Sequence, residues 1–194
     1  MIAGLILAAG ESRRMGSDKA LLPYRGHTFL ETIILNLREA GIDRIVVVLG
    51  HHAEEIRRVV DLAGVRVIVN NDYQQGQTSS LQAGLSALPD LSPEAVILCL
   101  VDHPAVSVEV IRKLCGQFEL ARPRVIIPTY RGQRGHPVLL SRALFPDLLA
   151  LRTDAGANAV IRKCHDATHF VEVEDRGILL DVDDQDTYER LESK

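Results

Sequence analysis

The stretch Leu7-Ala8-Ala9-Gly10-Glu11-Ser12-Arg13-Arg14-Met15-Gly16-Ser17-Asp18-Lys19 begins inside an apolar run that starts at Ile2, and it continues into a loop. An apolar run of this kind is typical of a strand that is buried on both faces. The loop offers small residues for close backbone approach, amides for an oxyanion, and the cations Arg13, Arg14 and Lys19 for phosphate charge. The stretch therefore indicates a polyphosphate-binding loop at the end of a first strand.

Two common phosphate-binding motifs are missing from this loop. It contains no Gly-x-Gly-x-x-Gly, and no Gly-Lys-Ser or Gly-Lys-Thr stands at P-loop spacing. Because basic loops are common and usually solvated, a charged surface turn is the alternative interpretation of the residue pattern.

Apolar runs alternate with helical patterns along the chain. Further strand-like runs occupy 44–49, 65–69 and 95–101, and apolar positions at helical spacing occupy 30–37, 56–63, 81–88 and 110–118. Strands that alternate with helices predict right-handed crossovers in a mostly parallel sheet with helices on both faces, which is the α/β class.

Local signals place the ends of these elements. Thr28 and Glu31 form a capping box before the first helix, and Ser79 and Ser80 are expected to cap the third. Later segments predict strands at 125–128, 138–140, 169–173 and 178–182, and helices near 141–151, 155–164 and 184–192. With 194 residues and no repeat or linker, we expect a single domain over residues 1–194.

The composition restricts the possible partners. Lys plus Arg number 22 and Asp plus Glu number 26, so the net charge is −4. That sign is wrong for a surface that neutralises the phosphates of nucleic acid or membrane. An aromatic content of 4% without Trp also leaves few platforms for stacking bases. We therefore expect neither nucleic acid nor membrane as a partner.

Cysteine usage and the N-terminal segment point to the cytoplasm. The three cysteines have no Cys-x-x-Cys spacing, so they indicate neither a disulfide framework nor a structural zinc site. The apolar start at 1–9 lacks the basic region that precedes a signal-peptide core. A cytoplasmic location is the expectation.

Carboxylates follow two of the predicted strands. Asp102 lies at the end of the strand-like run 95–101, so we expect it at the sheet edge that holds the first loop. A Mg²⁺ that bridges nucleotide phosphates would lie there, although a turn cap also explains an Asp at this position. Asp181 and Asp183 are two residues apart in a predicted strand and would share one of its faces.

The stretch 7–19 resembles the Leu-Ala-Ala-Gly-x-Ser-x-Arg-Met-Gly-x-x-Lys signature of MobA-like nucleotidyltransferases, and most closely that of molybdenum cofactor cytidylyltransferases. The likeness continues, in the family's order, through Gly76-Gln77-Thr78-Ser79-Ser80-Leu81-Gln82-Ala83-Gly84-Leu85, Val101-Asp102-His103-Pro104, Gly135-His136-Pro137-Val138-Leu139, Asp154-Ala155-Gly156-Ala157 and Leu180-Asp181-Val182-Asp183. It covers nearly the whole chain and implies a three-layer Rossmann-like nucleotidyltransferase fold.

The resemblance also implies roles for individual residues. Arg14, Lys19 and Asp102 would be catalytic, Asp102 and Asp183 would bind Mg²⁺ with Asp183 favoured over Asp181, and His136 and Asp154 would contact the acceptor. A turn histidine and a helix cap explain His136 and Asp154 equally well. The implied nucleotide site comprises Leu7, Ala8, Ala9, Gly10, Ser12, Arg14, Lys19, Gly76, Ser79, Ser80 and Asp102.

The implied reaction is attack by a terminal phosphate of the acceptor on the α-phosphorus of a nucleoside triphosphate, with release of pyrophosphate. A phosphate monoester already carries negative charge, so catalysis needs positioning and charge neutralisation rather than a strong base. Ala8-Ala9-Gly10 follows the cytidylyl form of the motif, which favours CTP, whereas Asp18-Lys19 is similar to guanylyl relatives and leaves GTP open.

The implied acceptor is a molybdopterin, and a molybdoenzyme or chaperone that receives the finished cofactor is a further expected partner. Two other functions stay open. One is transfer to another phosphorylated acceptor, such as a sugar or alditol phosphate, which the segments 135–137 and 154–157 disfavour. The other is a non-catalytic nucleotide-binding module, which the presence of Arg14, Lys19 and Asp102 disfavours.

Overall fold

A mostly parallel sheet forms the centre of the protein in a computed structural model that describes residues 1–12, 15–88 and 93–192. The strands are β1 (Ile2–Ala8), β2 (Pro23–Tyr24), β3 (His27–Thr28), β4 (Ile45–Leu49), β5 (Arg66–Val69), β6 (Ala95–Leu100), β7 (Val125–Tyr130), β8 (Gln133–Arg134), β9 (Val138–Ser141) and β10 (Thr168–Glu172). The helices are α1 (Phe29–Glu39), α2 (Ala53–Val59), α3 (Gln77–Ser86), α4 (Val108–Ala121), α5 (Phe145–Leu149), α6 (Asn158–Lys163) and α7 (Gln185–Glu192).

The order of strands in the sheet is β10-β7-β9-β6-β1-β4-β5, with β8 paired to β7. Strand β1 is parallel to both β4 and β6, and β10 is parallel to β7. Strand β9 is antiparallel to both of its neighbours, β6 and β7. As a result, β1, β4, β5, β6, β7 and β10 all end at the same edge of the sheet.

Each face of the sheet is covered by helices. Side chains alternate along β1, so Ile6 belongs to a core cluster with α1 and α4, whereas Leu5 and Leu7 belong to a second cluster with α3, α5 and α6. The three-layer α/β class predicted from the sequence is confirmed.

Helix α1 shows how local sequence fixes an element. The Thr28 hydroxyl accepts a hydrogen bond from the Glu31 amide at 3.2 Å, and the Glu31 carboxylate accepts one from the Thr28 amide at 2.8 Å. The predicted capping box is therefore present. Phe29 is the first residue of α1, and the centroid of its ring lies 5.9 Å from that of Tyr188 in α7. This contact brings the C-terminal segment against the first third of the chain.

Two sequence predictions about local structure are wrong. The predicted strand at 178–182 is absent from the described structure, because Arg176–Leu179 forms a 3-10 turn in which the Asp175 carboxylate accepts a hydrogen bond from the Gly177 amide at 2.7 Å. Helix α3 begins at Gln77 with Gly76 as its N-cap. Ser79 and Ser80 therefore lie inside the helix instead of capping it.

The predicted helix over 56–63 is shorter than expected, because α2 ends at Val59. Within the described residues, none of the helices combines the length and the apolar character that crossing a membrane requires.

Candidate active site

A cleft of about 640 Å³ opens at the edge where β1 and β6 end. This is the position where open parallel sheets bind ligands. Of the residues that the sequence assigned to the nucleotide, nine line the cleft: Leu7, Ala8, Ala9, Gly10, Ser12, Lys19, Gly76, Ser80 and Asp102. Ser79 is buried and is not among the residues that line the cleft. Arg13 and Arg14 fall outside the described residues.

Lys19 is held at the floor of the cleft. Its Nζ atom lies 2.5 Å from Asp183 Oδ1 and 3.5 Å from Asp102 Oδ2, and only 11% of its side chain is exposed. The Ser12 hydroxyl accepts a hydrogen bond from the Lys19 amide at 3.0 Å, which folds the first loop back on itself. The loop thus delivers a buried cation to the end of β6, as the sequence predicted.

Asp18 fixes the backbone that carries Lys19. Its carboxylate accepts a hydrogen bond from the Ala20 amide at 2.9 Å and lies 3.6 Å from His52 Nδ1. Burial raises the pKa of Asp18, and the hydrogen bond from Ala20 and the nearby His52 oppose that rise. From the sequence, Asp18 served only as a signal for the nucleotide base, and this capping role was not predicted.

Asp102, His103 and Asp181 form a cluster beside Lys19. One ligand atom from each lies within 4.8 Å of the others, and His103 Nε2 is 3.8 Å from Asp102 Oδ1. Burial raises the pKa of Asp181, and the nearby carboxylates of Asp102 and Asp183 raise it further. Burial also lowers the pKa of His103, which favours its neutral form. Asp102 is half-buried and Asp181 is exposed, and a cation would stabilise these neighbouring carboxylates.

This cluster fits a divalent cation. Asp102 Oδ1 is buried and accepts no hydrogen bond from any described residue. Carboxylate oxygen and neutral imidazole nitrogen are both common ligands of divalent metals. The carboxylate that joins Asp102 in the cluster is Asp181. Asp183, which the sequence favoured as second ligand, is paired with Lys19.

A hydrogen-bond network shapes the opposite wall of the cleft. The Asn70 amide donates to the hydroxyls of Ser79 at 2.9 Å and Ser80 at 3.0 Å. Its oxygen accepts a hydrogen bond from the Asp72 amide at 3.0 Å. Asn70 therefore fixes the approach to Gly76, whose φ of 102° requires glycine. In the sequence, the signal for this role is a polar residue, Asn70, directly after the predicted strand at 65–69.

Neither of the two predicted acceptor residues is among those that line the cleft; His136 instead lines a separate small pocket together with His103. His136 is largely buried, with its ring centroid 4.9 Å from that of His103, and burial together with His103 lowers its pKa to about 4. Asp154 is exposed and accepts two hydrogen bonds from Arg152, at 3.0 and 2.8 Å. Ala155 follows Asp154, and its backbone carbonyl accepts a hydrogen bond from the Thr78 hydroxyl at 2.6 Å. This bond places the segment 154–155 beside α3.

Residues 4–168 match the family model described as the MobA-like NTP transferase domain. The chain belongs to this MobA-like family of nucleotidyltransferases. The match includes the first loop, the end of β6 and the N-terminal end of α3, which together form most of the cleft.

The curated relatives of this chain carry different names. The chain is 31% identical over 186 residues to the molybdenum cofactor cytidylyltransferase of Escherichia coli strain K12, covering 95% of this chain and 92% of that protein. It is 30% identical over 203 residues to the nicotine blue oxidoreductase of Paenarthrobacter nicotinovorans, covering 98% and 96%.

A solved MobA-like neighbour confirms the architecture. The crystal structure of Rv0371c from Mycobacterium tuberculosis H37Rv matches 100% of this chain and 98% of its own, with a TM-score of 0.88 and 30% identity. A structure of the same protein in complex with manganese matches with a TM-score of 0.81 and 31% identity over the same shares of the two chains.

Proposed function

We propose that this protein transfers CMP from CTP to the terminal phosphate of a molybdopterin cofactor and releases pyrophosphate. The observation that carries the proposal is the convergence of Lys19 and Asp102, whose Nζ and Oδ2 atoms are 3.5 Å apart in the cleft beyond β1 and β6. Similarity to a molybdenum cofactor cytidylyltransferase over 95% of the chain supports the choice of nucleotide and acceptor.

The first loop is the part of the cleft suited to the triphosphate. The amides of residues 8–12 and the ammonium of Lys19 would bind its oxygens, and Arg14 is expected to add a second cation. In the transfer step an oxygen of the acceptor phosphate forms a bond to the α-phosphorus. The bond from that phosphorus to the bridging oxygen of the β-phosphate breaks, and pyrophosphate leaves with the electron pair. Lys19 would stabilise the negative charge that develops on the phosphates.

Asp102 is the residue best placed to hold a divalent cation, with Asp183 or Asp181 as the second carboxylate. The cation, Mg²⁺ by the expectation from sequence, would neutralise charge on the nucleotide phosphates. The manganese complex of the neighbour Rv0371c supports a divalent-cation site in this chain.

His136 and Asp154 are proposed to contact the acceptor, as the resemblance implies. His136 lies beside His103, and the segment of Asp154 is joined to α3 through Thr78 and Ala155. These residues would orient the acceptor toward the α-phosphate of a nucleotide held by the first loop. Aligning the two reactants in this way is the main contribution that the protein can make to such a reaction.

The deciding experiment measures pyrophosphate release in the presence of Mg²⁺. CTP, GTP, ATP and UTP are each tested with molybdopterin, with sugar phosphates and with alditol phosphates. We expect release only with CTP and molybdopterin. A preference for GTP would overturn the assignment of the base, and turnover only with a sugar or alditol phosphate would overturn the acceptor.

Two outcomes would remove the transferase assignment altogether. Nucleotide binding without pyrophosphate release from any pair would support a non-catalytic module. Oxidoreductase activity without pyrophosphate release would support the function for which the relative from Paenarthrobacter nicotinovorans is named.

A further inference from the structure

The two carboxylate oxygens of Asp102 have different surroundings. Oδ2 lies 3.5 Å from the Lys19 ammonium, which compensates its charge. Oδ1 is buried, accepts no hydrogen bond from the described residues, and lies 3.8 Å from His103 Nε2. Oδ2 of Asp102 is therefore compensated by a cation of the protein, whereas Oδ1 faces an imidazole nitrogen.

His103 is unusual for a buried histidine. Its side chain is only 9% exposed, its buried Nδ1 atom has no hydrogen-bond partner among the described residues, and its Nε2 atom lies 3.8 Å from Asp102 Oδ1. Buried polar side chains nearly always have a partner, so a buried imidazole without one indicates a ligand. The ring of His136, 4.9 Å away, packs beside His103 and limits its movement.

Asp181 completes a set of three donors. One atom each from Asp102, His103 and Asp181 lies within 4.8 Å of the others. Three donors spread evenly about one ion at about 2.1 Å are about 3.6 Å apart. From separations within 4.8 Å, a movement of about 0.7 Å or less by each ligand atom would bring all three to one ion. The set is thus close to the geometry of a metal site.

We infer that Asp102, His103 and Asp181 bind a divalent first-row transition-metal ion in preference to Mg²⁺, with the Nε2 atom of His103 as the ligand that selects the metal. Mg²⁺ is a hard cation that takes oxygen ligands and keeps much of its water. An imidazole ligand favours transition metals, because nitrogen is a softer donor than oxygen. This inference rests on the proposed function in one respect, which is that the bound ion would be the metal used in nucleotidyl transfer. The binding preference itself does not depend on that reaction.

The test measures metal binding rather than turnover. Protein stripped with a chelator is titrated with Mn²⁺ without nucleotide, and binding is followed by the loss of the six-line electron paramagnetic resonance signal of free Mn²⁺. Mg²⁺ is then added as competitor. Mn²⁺ is the most demanding probe, because it is the weakest binder of the first-row series. We expect one bound Mn²⁺ and at least about tenfold preference over Mg²⁺, as an imidazole ligand implies.

Electron spin-echo modulation of bound Mn²⁺ gives a direct readout of the ligand. The wild-type protein should show coupling to an imidazole nitrogen. His103→Asn, which lacks an atom at the Nε2 position, should lose this coupling and bind Mn²⁺ at least about tenfold more weakly. His103→Gln places an amide group near that position, so it should retain binding but lose most of the preference for Mn²⁺. His165→Asn, which changes an exposed histidine, is the matched control and should behave as wild type.

The inference is overturned if the wild-type protein shows no nitrogen coupling, if it binds Mn²⁺ and Mg²⁺ equally, or if His103→Asn binds Mn²⁺ as tightly as wild type. Circular dichroism checks that each variant folds. Asp181→Asn provides a second route to the same conclusion, because it should also weaken Mn²⁺ binding. If these metal-binding results fail while CTP-dependent pyrophosphate release is intact, only the inferred metal preference is overturned. Nitrogen-coupled Mn²⁺ binding without release from any nucleotide removes only the proposed function.

Discussion

Lys19 Nζ lies 2.5 Å from the Oδ1 atom of Asp183, a residue 164 positions later in the chain. The contact joins the first loop to the segment that precedes α7. Phosphate oxygens would compete with Asp183 for the same ammonium, since all of them are anionic acceptors of its hydrogen bonds. A carboxylate therefore orients the Lys19 ammonium, which is the group proposed to bind the phosphates.

Replacing Lys19 by Met should reduce CTP-dependent pyrophosphate release by about 10²- to 10³-fold. The reason is that a buried cation stabilises the charge of the transition state far more strongly than a cation in solvent does. Single-turnover kinetics with saturating CTP measures the loss. Arg57→Met, which removes an exposed cation paired with Glu54, should leave the rate unchanged. The sequence predicts a comparable loss for Arg14→Ala. Wild-type rates in Lys19→Met would contradict the role of this residue.

Removing the Asn70 side chain by Asn70→Ala should lower the free energy of unfolding by about 1–3 kcal/mol, because the buried hydroxyls of Ser79 and Ser80 lose their donor. The KM for CTP should rise as the approach to Gly76 loosens. Urea unfolding and initial-rate kinetics measure the two effects. Asn158→Ala, at an exposed helix start, is the control, and a similar loss of stability in both variants would argue against the network.

Glycines in two helices should respond oppositely to the same substitution. An added Cβ at Gly84 in α3 would clash with a methyl group of Leu5 and would lie 2.9 Å from one of Val48, both fully buried. Gly84→Ala should therefore destabilise the fold by about 1–3 kcal/mol.

An added Cβ at Gly116 in α4 would meet no atom within 4 Å among the residues that the structure describes. Gly116→Ala should stabilise the protein by about 0.5–1 kcal/mol, because alanine loses less backbone entropy in a helix. Thermal and urea unfolding of the pair give the comparison. Equal effects of the same sign would show that the packing of α3 against β1 is looser than the distances indicate.

The pH dependence of stability should depend on His136. Burial, reinforced by His103 and opposed by Asp102, lowers the pKa of His136 from its ordinary 6.5 to about 4. Between these two values the unfolded chain binds a proton that the folded protein does not. Stability therefore falls as the pH decreases from about 6.5 to about 4, and this group causes no further loss below that range.

His136→Gln should remove this part of the decline. Urea midpoints of chelator-treated protein at about pH 7 and about pH 5 measure the effect, since these values lie above and within the range in which the unfolded histidine gains its proton. His165→Gln, which removes an exposed histidine, should keep the wild-type slope. An unchanged slope in His136→Gln would show that His136 is not kept neutral by the fold.

The sequence by itself determined the elements whose signals are local. The apolar run of β1 occupies the predicted residues Ile2–Ala8, and the capping box fixes the start of α1. It also predicted that Lys19 and Asp102 meet, because the carboxyl ends of parallel strands share one edge of the sheet. For β1 and the start of α1 a few neighbouring residues carry the physical cause, whereas the meeting of Lys19 and Asp102 follows from the general geometry of parallel sheets.

Only the tertiary structure decided features that depend on distant partners. The segment predicted as a strand at 178–182 forms a 3-10 turn and irregular chain, because Asp175 accepts hydrogen bonds from Gly177 and from Ser107 in another part of the fold. The grouping of Asp181 with Asp102 and His103, and of Asp183 with Lys19, follows from that path. Alternation along a strand would have placed both carboxylates on one face. Packing between segments far apart in the chain instead pairs Asp183 with Lys19 and groups Asp181 with Asp102 and His103, while Asp183 stays near enough to raise the pKa of Asp181. No local pattern encodes that arrangement.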